Sequence, residues 1–318
     1  MKSTIVIPNY NGIKYLENCL LSLQTEQAHI IVVDNGSSDG SYELLATKFP
    51  RVETIRFAEN TGFCKAVNAG IAATKTKYVI FLNNDTIVEA GFVQVLEEAM
   101  EADEKIFSGS AKMLSMQEQD KIDDAGDLYC ALGWAYAIGK GKPEKAYQKQ
   151  YPVFAACGGA SIFRKNMLDE IGVLDENHFA YLEDIDLGYR AQIYGYRNIF
   201  VPEARVIHAG SASSGSRYNK FKVDLTSKNS VYLIYKNMPF VQILLNLPFF
   251  LIGFGIKTLF FIKKGLGRAY VAGLFRGIRL SLSPQGREHK VRFQMKHLGN
   301  YCKIQLFLWI NMIKRLYS

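Results

Sequence analysis

An α/β fold built on a mostly parallel, three-layer sheet is predicted for this 318-residue chain, and three observations predict it. Through the first hundred residues, short β-rich runs alternate with amphipathic stretches, the rhythm of successive βαβ units. Several of those runs end in loops rich in Asn, Asp and Gly, the groups that open α/β sheets gather beyond the carboxyl ends of their strands. The composition, 48% hydrophobic and 21% charged, is enough for a full core and leaves room for one large domain or a domain with an appendage.

The elements follow in order. Thr4 to Ile7 reads as a strand, and Leu16, Leu20 and Leu23 then recur at helical spacing. Ile30 to Val33 is extended, Ser41 to Lys48 helical, Val52 to Phe57 extended and Lys65 to Ala73 helical. The apolar run Tyr78-Val79-Ile80-Phe81-Leu82 is a buried strand. From about Phe107 to Ala156 the pattern loses regularity, and the turn cluster Gly139-Lys140-Gly141-Lys142-Pro143 falls here; loops and shorter strands flanking a site are expected. Periodicity returns over Glu183 to Tyr194, where Ile185, Tyr189 and Ile193 share a face and Gly195 caps the end. Ser211 to Gly215, followed by Arg217 and Lys220, reads as a loop bearing positive charge.

The net charge of +8 conceals an asymmetry. Of the 38 Lys and Arg and the 30 Asp and Glu, fourteen basic residues and one acid lie from Lys236 onward, a net of +13, which leaves −5 for the remainder. This basic segment is also apolar, since Met238 to Ile256 holds no charged residue over 19 positions. Its length suits a spanning helix, but Gln242, Asn246, Pro239, Pro248, Gly253 and Gly255 interrupt it and Lys257, Lys263 and Lys264 follow. A segment lying in or re-entering a membrane interface is therefore favoured over a crossing, with a buried hairpin as the alternative. Near an anionic leaflet each Lys or Arg contributes about 1 kcal/mol. Nucleic acid is not expected as a partner, because the basic residues punctuate aliphatic runs instead of flanking stacking aromatics. The opening MKSTIVIPNY runs straight into a strand and reads as lacking a secretory signal. Five cysteines without a CxxC pair suggest free thiols in a reducing compartment. Both readings predict the cytoplasmic side.

Three strand ends carry polar clusters. Pro8-Asn9-Tyr10-Asn11-Gly12 follows the first strand and Asp34-Asn35-Gly36-Ser37-Ser38-Asp39-Gly40 the second. Such groups can hold a base and a ribose, and Asp34 can accept from a ring N–H, although each cluster also suits a turn with an N-cap. Glu59-Asn60-Thr61-Gly62-Phe63 opens a helix whose N–H groups favour an anion. Beyond Leu82 come Asn83-Asn84-Asp85-Thr86, which read as a polar site or as turn residues. Neither a GxGxxG nor a Walker pattern occurs in the sequence, which argues against dinucleotide and P-loop chemistry. Cys157-Gly158-Gly159-Ala160 allows a backbone to approach a ligand closely or simply packs.

Taken together, these residues resemble the inverting family-2 glycosyltransferases of GT-A fold, and especially their rhamnosyltransferase-like branch. The resemblance covers roughly Ser3 to Ser213 in five ordered blocks, IVIPNYNG, IIVVDNGSSDGS, ENTGFCKAVNAG, YVIFLNNDT, and the pair LEDIDLGYRAQIYGYR with VPEARVIHAGSAS. It implies a three-layer α/β/α nucleotide-sugar-binding domain over residues 1 to 235, followed by an apolar, basic, membrane-associated helical extension over 236 to 318.

By this resemblance Asp34 contacts the base, with Pro8 and Asn9 lining the same pocket and Asn60 at the anion-favouring turn. Asn84-Asp85 matches the DxD-type motif. Asp85 is expected to bind Mg or Mn on the diphosphate and Asn84 to approach the ribose, while His208 stands where some members supply a further metal ligand. Asn83 and Asn84 replace carboxylates of a full acidic motif. Asp184 matches the base of the ED motif, with Glu183 and Gly159 as acceptor or supporting residues. A carboxylate at a helix N-terminus stays ionised in the dipole field, neighbouring acids push the other way, and the balance suits a general base. Asp186 can pair with Arg190 at i+4 and is expected to be structural. The implied reaction passes a sugar from a nucleotide-sugar donor to a saccharide acceptor, expected to be lipid-linked, at a membrane surface. Transfer to polyprenyl phosphate, or a silent nucleotide-sugar sensor, remain the alternatives.

Overall fold

The computed structural model describes residues 1–210 and 218–315, so the loop read at Ser211 to Gly215 lies outside the described residues. The chain opens with β1 (Ser3–Asn9), α1 (Ile13–Ser22), β2 (His29–Asn35), α2 (Ser41–Lys48), β3 (Glu53–Phe57), α3 (Phe63–Ala73) and β4 (Tyr78–Leu82). All seven expected elements are present, and where a range was expected no end is shifted by more than two residues. The strands pair in parallel in the order β4-β1-β2-β3.

Parallel pairing does not extend through the rest of the sheet. Next come β5 (Thr86–Val88), α4 (Phe92–Glu101), β6 (Ile106–Ser115), β7 (Ile122–Asp124), β8 (Asp127–Cys130), β9 (Trp134–Ala137), β10 (Tyr151–Val153), β11 (Ala160–Arg164), α5 (Lys165–Ile171), α6 (Glu183–Ile193) and β12 (Arg197–His208). The large sheet has the order β10-β12-β6-β11-β4-β1-β2-β3, with β11 antiparallel to both β4 and β6, and β8 and β9 form a separate hairpin. The region expected to hold only loops and shorter strands therefore contains a central ten-residue strand. Its sequence IFSGSAKMLS is rich in small and polar residues, and Lys112 is buried within it, so it carries no strand-like apolar signature. Because β11 reverses direction between β4 and β6, while β12 runs parallel to β6, the carboxyl ends of β1, β2, β4, β6 and β12 all reach one edge.

Alternation along the strands produces the layers. Ile5, Ile7, Val32, Ile80 and Leu82 pack with Leu16, Leu20 and Leu96 of α1 and α4. Their neighbours Val6, Ile31, Val33, Val79 and Phe81 pack on the other face with Val67 of α3, Leu168 of α5 and Leu187 of α6. Burial of each such side chain contributes roughly 1.5–3 kcal/mol, and the period of two in the strands fixes which face each one serves.

The C-terminal part is helical: α7 (Lys220–Asn237), α8 (Phe240–Lys263), α9 (Gly267–Leu282), the short α10 (Pro284–Glu288) and α11 (Leu298–Lys314). Ile185, Tyr189 and Ile193, the expected stripe of α6, face these helices and pack with Leu233, Phe250, Ile304 and Leu308. α7 crosses residue 236 without a break. Lys236 is buried there, its ammonium 2.9 Å from both Asp175 and Asp186. Asp186 also pairs with Arg190 at 2.9 Å, as its spacing predicts. Burial alone raises the Asp186 pKa, but the two cations and the Asn237 amide hold it well below the usual carboxylate range.

Helix α8 runs unbroken through Pro248 for 24 residues and is the one described helix long and apolar enough to cross a membrane. The buried-hairpin alternative fails, because Phe240, Val241, Leu251 and Leu259 are each about seventy per cent exposed. Gln242 and Asn246, which interrupt the apolar run, form the buried stripe with Phe250 and Gly253. Tyr189 donates to Gln242 at 2.7 Å, Asn246 and Gln305 exchange hydrogen bonds at 2.8 Å, and Trp134 donates to the Gly253 carbonyl at 3.1 Å. Those polar residues dock the helix.

Candidate active site

A cleft of about 480 Å³ opens at the common edge of the strand ends. Pro8, Asn9, Asn60, Asn84, Asp85, Gly159, Glu183, Asp184 and His208 all line it, so it gathers nine of the ten expected site residues. Asp34 stands behind it. Its buried carboxylate accepts from Asn9 at 3.2 Å, and Asn9 accepts from the Asn84 amide at 2.6 Å, giving a relay from the β2 end to the β4 end. A Cβ on Gly12 would collide with the Asn84 amide, which explains the glycine there. Asn60 accepts from Asn35 at 3.1 Å.

Strand register assembles one group of acids. Thr86 lies opposite His208 in the β5–β12 pair, and the Ala209 N–H donates to the Asp85 carbonyl at 3.0 Å, so Asp85 and His208 become neighbours. His208 Nε2 is 3.3 Å from Asp85 Oδ1, and its Nδ1 is 2.7 Å from Asp123 Oδ2. Burial works against a charged imidazole, yet the two carboxylates outweigh it and raise the His208 pKa to about 9. Burial would likewise raise Asp123, but hydrogen bonds from His208 and Lys140 hold it down at about 2. Asp85 Oδ2 is buried and has no hydrogen-bond partner among the described residues. An orphan carboxylate oxygen beside an imidazole whose far nitrogen is fixed by a second carboxylate is a donor set that fits a divalent cation.

A second group of acids is built at the start of α6. Phe179, Tyr181 and Leu182 all have positive φ, between 65° and 71°, an arrangement costly for residues with a Cβ. Asn229 of α7 holds this segment, its amide donating to the carbonyls of His178, Ala180 and Tyr181 at 3.0, 2.9 and 2.7 Å. Phe179 packs so tightly on Gly62 that a Cβ there would meet its ring at 2.6 Å. Glu183 and Asp184 emerge from this strained turn. Burial, reinforced by Asp184, raises the Glu183 pKa to about 8. Burial raises Asp184 as well, opposed by the backbone N–H groups of Ile185, at 2.7 Å, and Gly158. Asp124 is also raised by burial, to about 7. Asp127 and Cys157 lie next to it with potential ligand atoms within 4.8 Å of one another, and burial raises their pKa values too.

The family model for glycosyl transferase family 2 matches residues 4–172, slightly more than half of the chain. The protein belongs to glycosyl transferase family 2. As a glycosyltransferase it is 26% identical over 239 residues to the N-acetylglucosaminyl-diphospho-decaprenol L-rhamnosyltransferase of Mycobacterium tuberculosis, covering 66% of this chain and 77% of that enzyme. Its GT-A fold is shared by solved structures that include the following two. GalNAc-T7 with UDP, GalNAc and Mn2+ matches at TM-score 0.59 and 18% identity, over 74% of this chain and 48% of that one. The mannosyltransferase PcManGT of Pyrobaculum calidifontis, with GDP-Man and Mn2+, matches at TM-score 0.53 and 16% identity, over 99% and 87%.

Sequence reasoning about this glycosyltransferase missed Asp123, Asp124 and Lys140, all of which line the cleft. A signal was present in Asp123-Asp124-Ala125-Gly126-Asp127, three acids within five residues. It sat in the irregular middle, and only the Met113–Asp124 register of β6 and β7 brings it to the strand edge.

Proposed function

We propose that this glycosyltransferase moves a sugar from a nucleoside-diphosphate donor to a hydroxyl of a lipid-linked or polysaccharide acceptor, with inversion in a single displacement. One observation carries the reading: Asp85 and Asp184, delivered by unrelated elements, line the same cleft. Pro8, Asn9 and Asn60 lie at the donor end, with Asp34 bracing Asn9 from beneath and Asn84 beside the ribose. Asp85 and His208 would hold the divalent cation, Mg or Mn, and Asp123 keeps the imidazole oriented. When bound, the cation neutralises charge on the departing diphosphate. Asp184 accepts the acceptor's hydroxyl proton as the new C–O bond forms at the anomeric carbon and the bond to the diphosphate breaks. Its pKa, raised above the ordinary Asp value by burial, makes it a stronger proton acceptor than a free carboxylate. Glu183 and Gly159 support the acceptor side.

We also place the enzyme at the cytoplasmic face of a membrane, with α8 lying in the interface. Of the 28 exposed large hydrophobic side chains among the described residues, 21 lie from Phe240 onward, and the segment from Lys236 onward carries a net of +13. The buried polar stripe ties α8 to the body along one face, which favours a helix lying on the membrane over one leaving the domain to cross it.

The test is a transfer assay using a panel of nucleotide sugars and a short-chain prenyl-diphospho-N-acetylglucosamine, with and without chelator, and with product configuration read by NMR. Cation-dependent transfer with inverted configuration is expected. A product of retained configuration would sink the single-displacement reading, and transfer favouring water-soluble sugars would sink the lipid-linked one.

A further inference from the structure

A second cavity, about 760 Å³, opens beside the cleft, and Lys140, Tyr181 and Lys222 line both. Its other walls come from the hairpin β8–β9, through Trp134, from Lys257 on α8 and from Arg315 after α11. Among the described residues, four cationic side chains line it and no Asp or Glu does. This contrasts with the acid-rich cleft next door. Lys257 stands over the Trp134 ring, 5.5 Å from its centroid, and has no carboxylate partner among the described residues. Burial of its ammonium pushes the pKa down to about 8, so a desolvated cation waits there without a counter-charge.

The cavity is also open to an apolar surface. Ile256 and Phe260, which line it, are 49% and 39% exposed and continue into the exposed Ile252 and Leu259. A cationic hollow with an apolar rim is complementary to an amphiphile with an anionic head. A mononucleotide or free phosphate would use the cations and leave the rim bare.

We propose that this cavity takes the diphosphate headgroup of a membrane-embedded prenyl lipid, Lys257 pairing with the diphosphate while the chain lies along the exposed face of α8. The sugar borne by that diphosphate then enters the cleft past Tyr181 and Lys222. This rests on the reading above that the acceptor is lipid-linked, and it assigns that acceptor a place.

The experiment uses the full chain in detergent micelles and measures binding of farnesyl diphosphate, inorganic pyrophosphate and farnesol by calorimetry. UDP with Mn2+ is titrated in parallel. Farnesyl diphosphate is expected to bind at least tenfold tighter than either fragment. Lys257→Gln should weaken it about tenfold or more and Lys257→Arg should largely retain it, with UDP affinity unchanged in both. Farnesyl diphosphate binding that ignores Lys257→Gln overturns the proposal, as does pyrophosphate or farnesol binding as tightly as the whole amphiphile, or UDP binding falling in parallel. Because no arm requires turnover, failure here is separable from failure of the transfer reading, which the product assay alone decides.

Discussion

The two groups of acids in the cleft hold their protons in opposite ways. Around His208, Asp123 is depressed to about 2 while the imidazole is raised to about 9, so opposite charges persist side by side. At the start of α6, Glu183 is raised to about 8 and Asp184 is raised with it, and Asp124 at the end of β7 is raised to about 7, chiefly because burial disfavours each charged carboxylate. Burial pushes carboxylates in the same direction in both places. What differs is the partner: a histidine supplied by strand register on one side, and only more carboxylates and backbone N–H groups on the other. The first arrangement suits holding a cation, the second gaining and losing a proton.

Removing charge from each group in turn is the strongest way to break this comparison. Asp85→Asn keeps the shape but deletes the orphan oxygen's charge, and kcat in Mn2+ is expected to fall by about 10³ or more, with donor affinity in chelator unaffected. Equal loss with and without cation would erase the distinction between the groups. Asp184→Asn should reduce kcat by roughly 10² to 10⁴ while leaving Mn2+-dependent nucleotide binding intact. Because its folded-state pKa is raised, the acid limb of wild-type kcat should lie above the ordinary Asp value of about 3.9, the rate falling as pH drops through it. Turnover nearly unchanged in Asp184→Asn would favour an acceptor that arrives already ionised, such as a polyprenyl phosphate.

The difference between the groups also explains what could be read from sequence. Asp85 and Asp184 stand out because each follows a local pattern, a buried strand for one and a capped, periodic helix for the other. His208 was legible from its block, but its partner Asp123 was not, since their contact depends on β6 pairing with both β7 and β12. Lys112 and the small residues of β6 hid that strand. The same holds at α6, where the Asp186–Arg190 pair is an i+4 spacing and the Lys236 contact, fifty residues away, has no sequence signature. Gln242 and Asn246 were visible as interruptions of an apolar run, and only the fold shows them docking α8 on Tyr189 and Gln305.

A smaller effect sharpens the α6 side. Asn229→Ala removes one amide that serves three carbonyls, leaving the left-handed turn at Phe179 to Leu182 without its clamp. Stability should drop by about 1–3 kcal/mol, read as a lower Tm, and kcat should fall more than donor KM changes because Asp184 loses its placement. Unaltered kcat in a folded Asn229→Ala protein would mean that the turn holds itself.

The smallest effect concerns the His208 side in chelated protein. A histidine raised from 6.5 to about 9 contributes stability that is complete below pH 6.5 and is lost as pH rises through 9, on the order of 3 kcal/mol. Asp123 has the opposite sign, its contribution being present above the ordinary carboxylate value and lost as pH falls through about 2. Tm of the chelated wild type should therefore decline by several degrees between pH 7 and 10, and His208→Gln should flatten that decline. Saturating Mn2+ should reverse it, because a cation on His208 must displace the proton and binds better as that proton becomes easier to lose. If chelated wild type and His208→Gln fall with the same slope, the imidazole is neutral in the folded state, and the contrast between the two groups of acids is not one of charge.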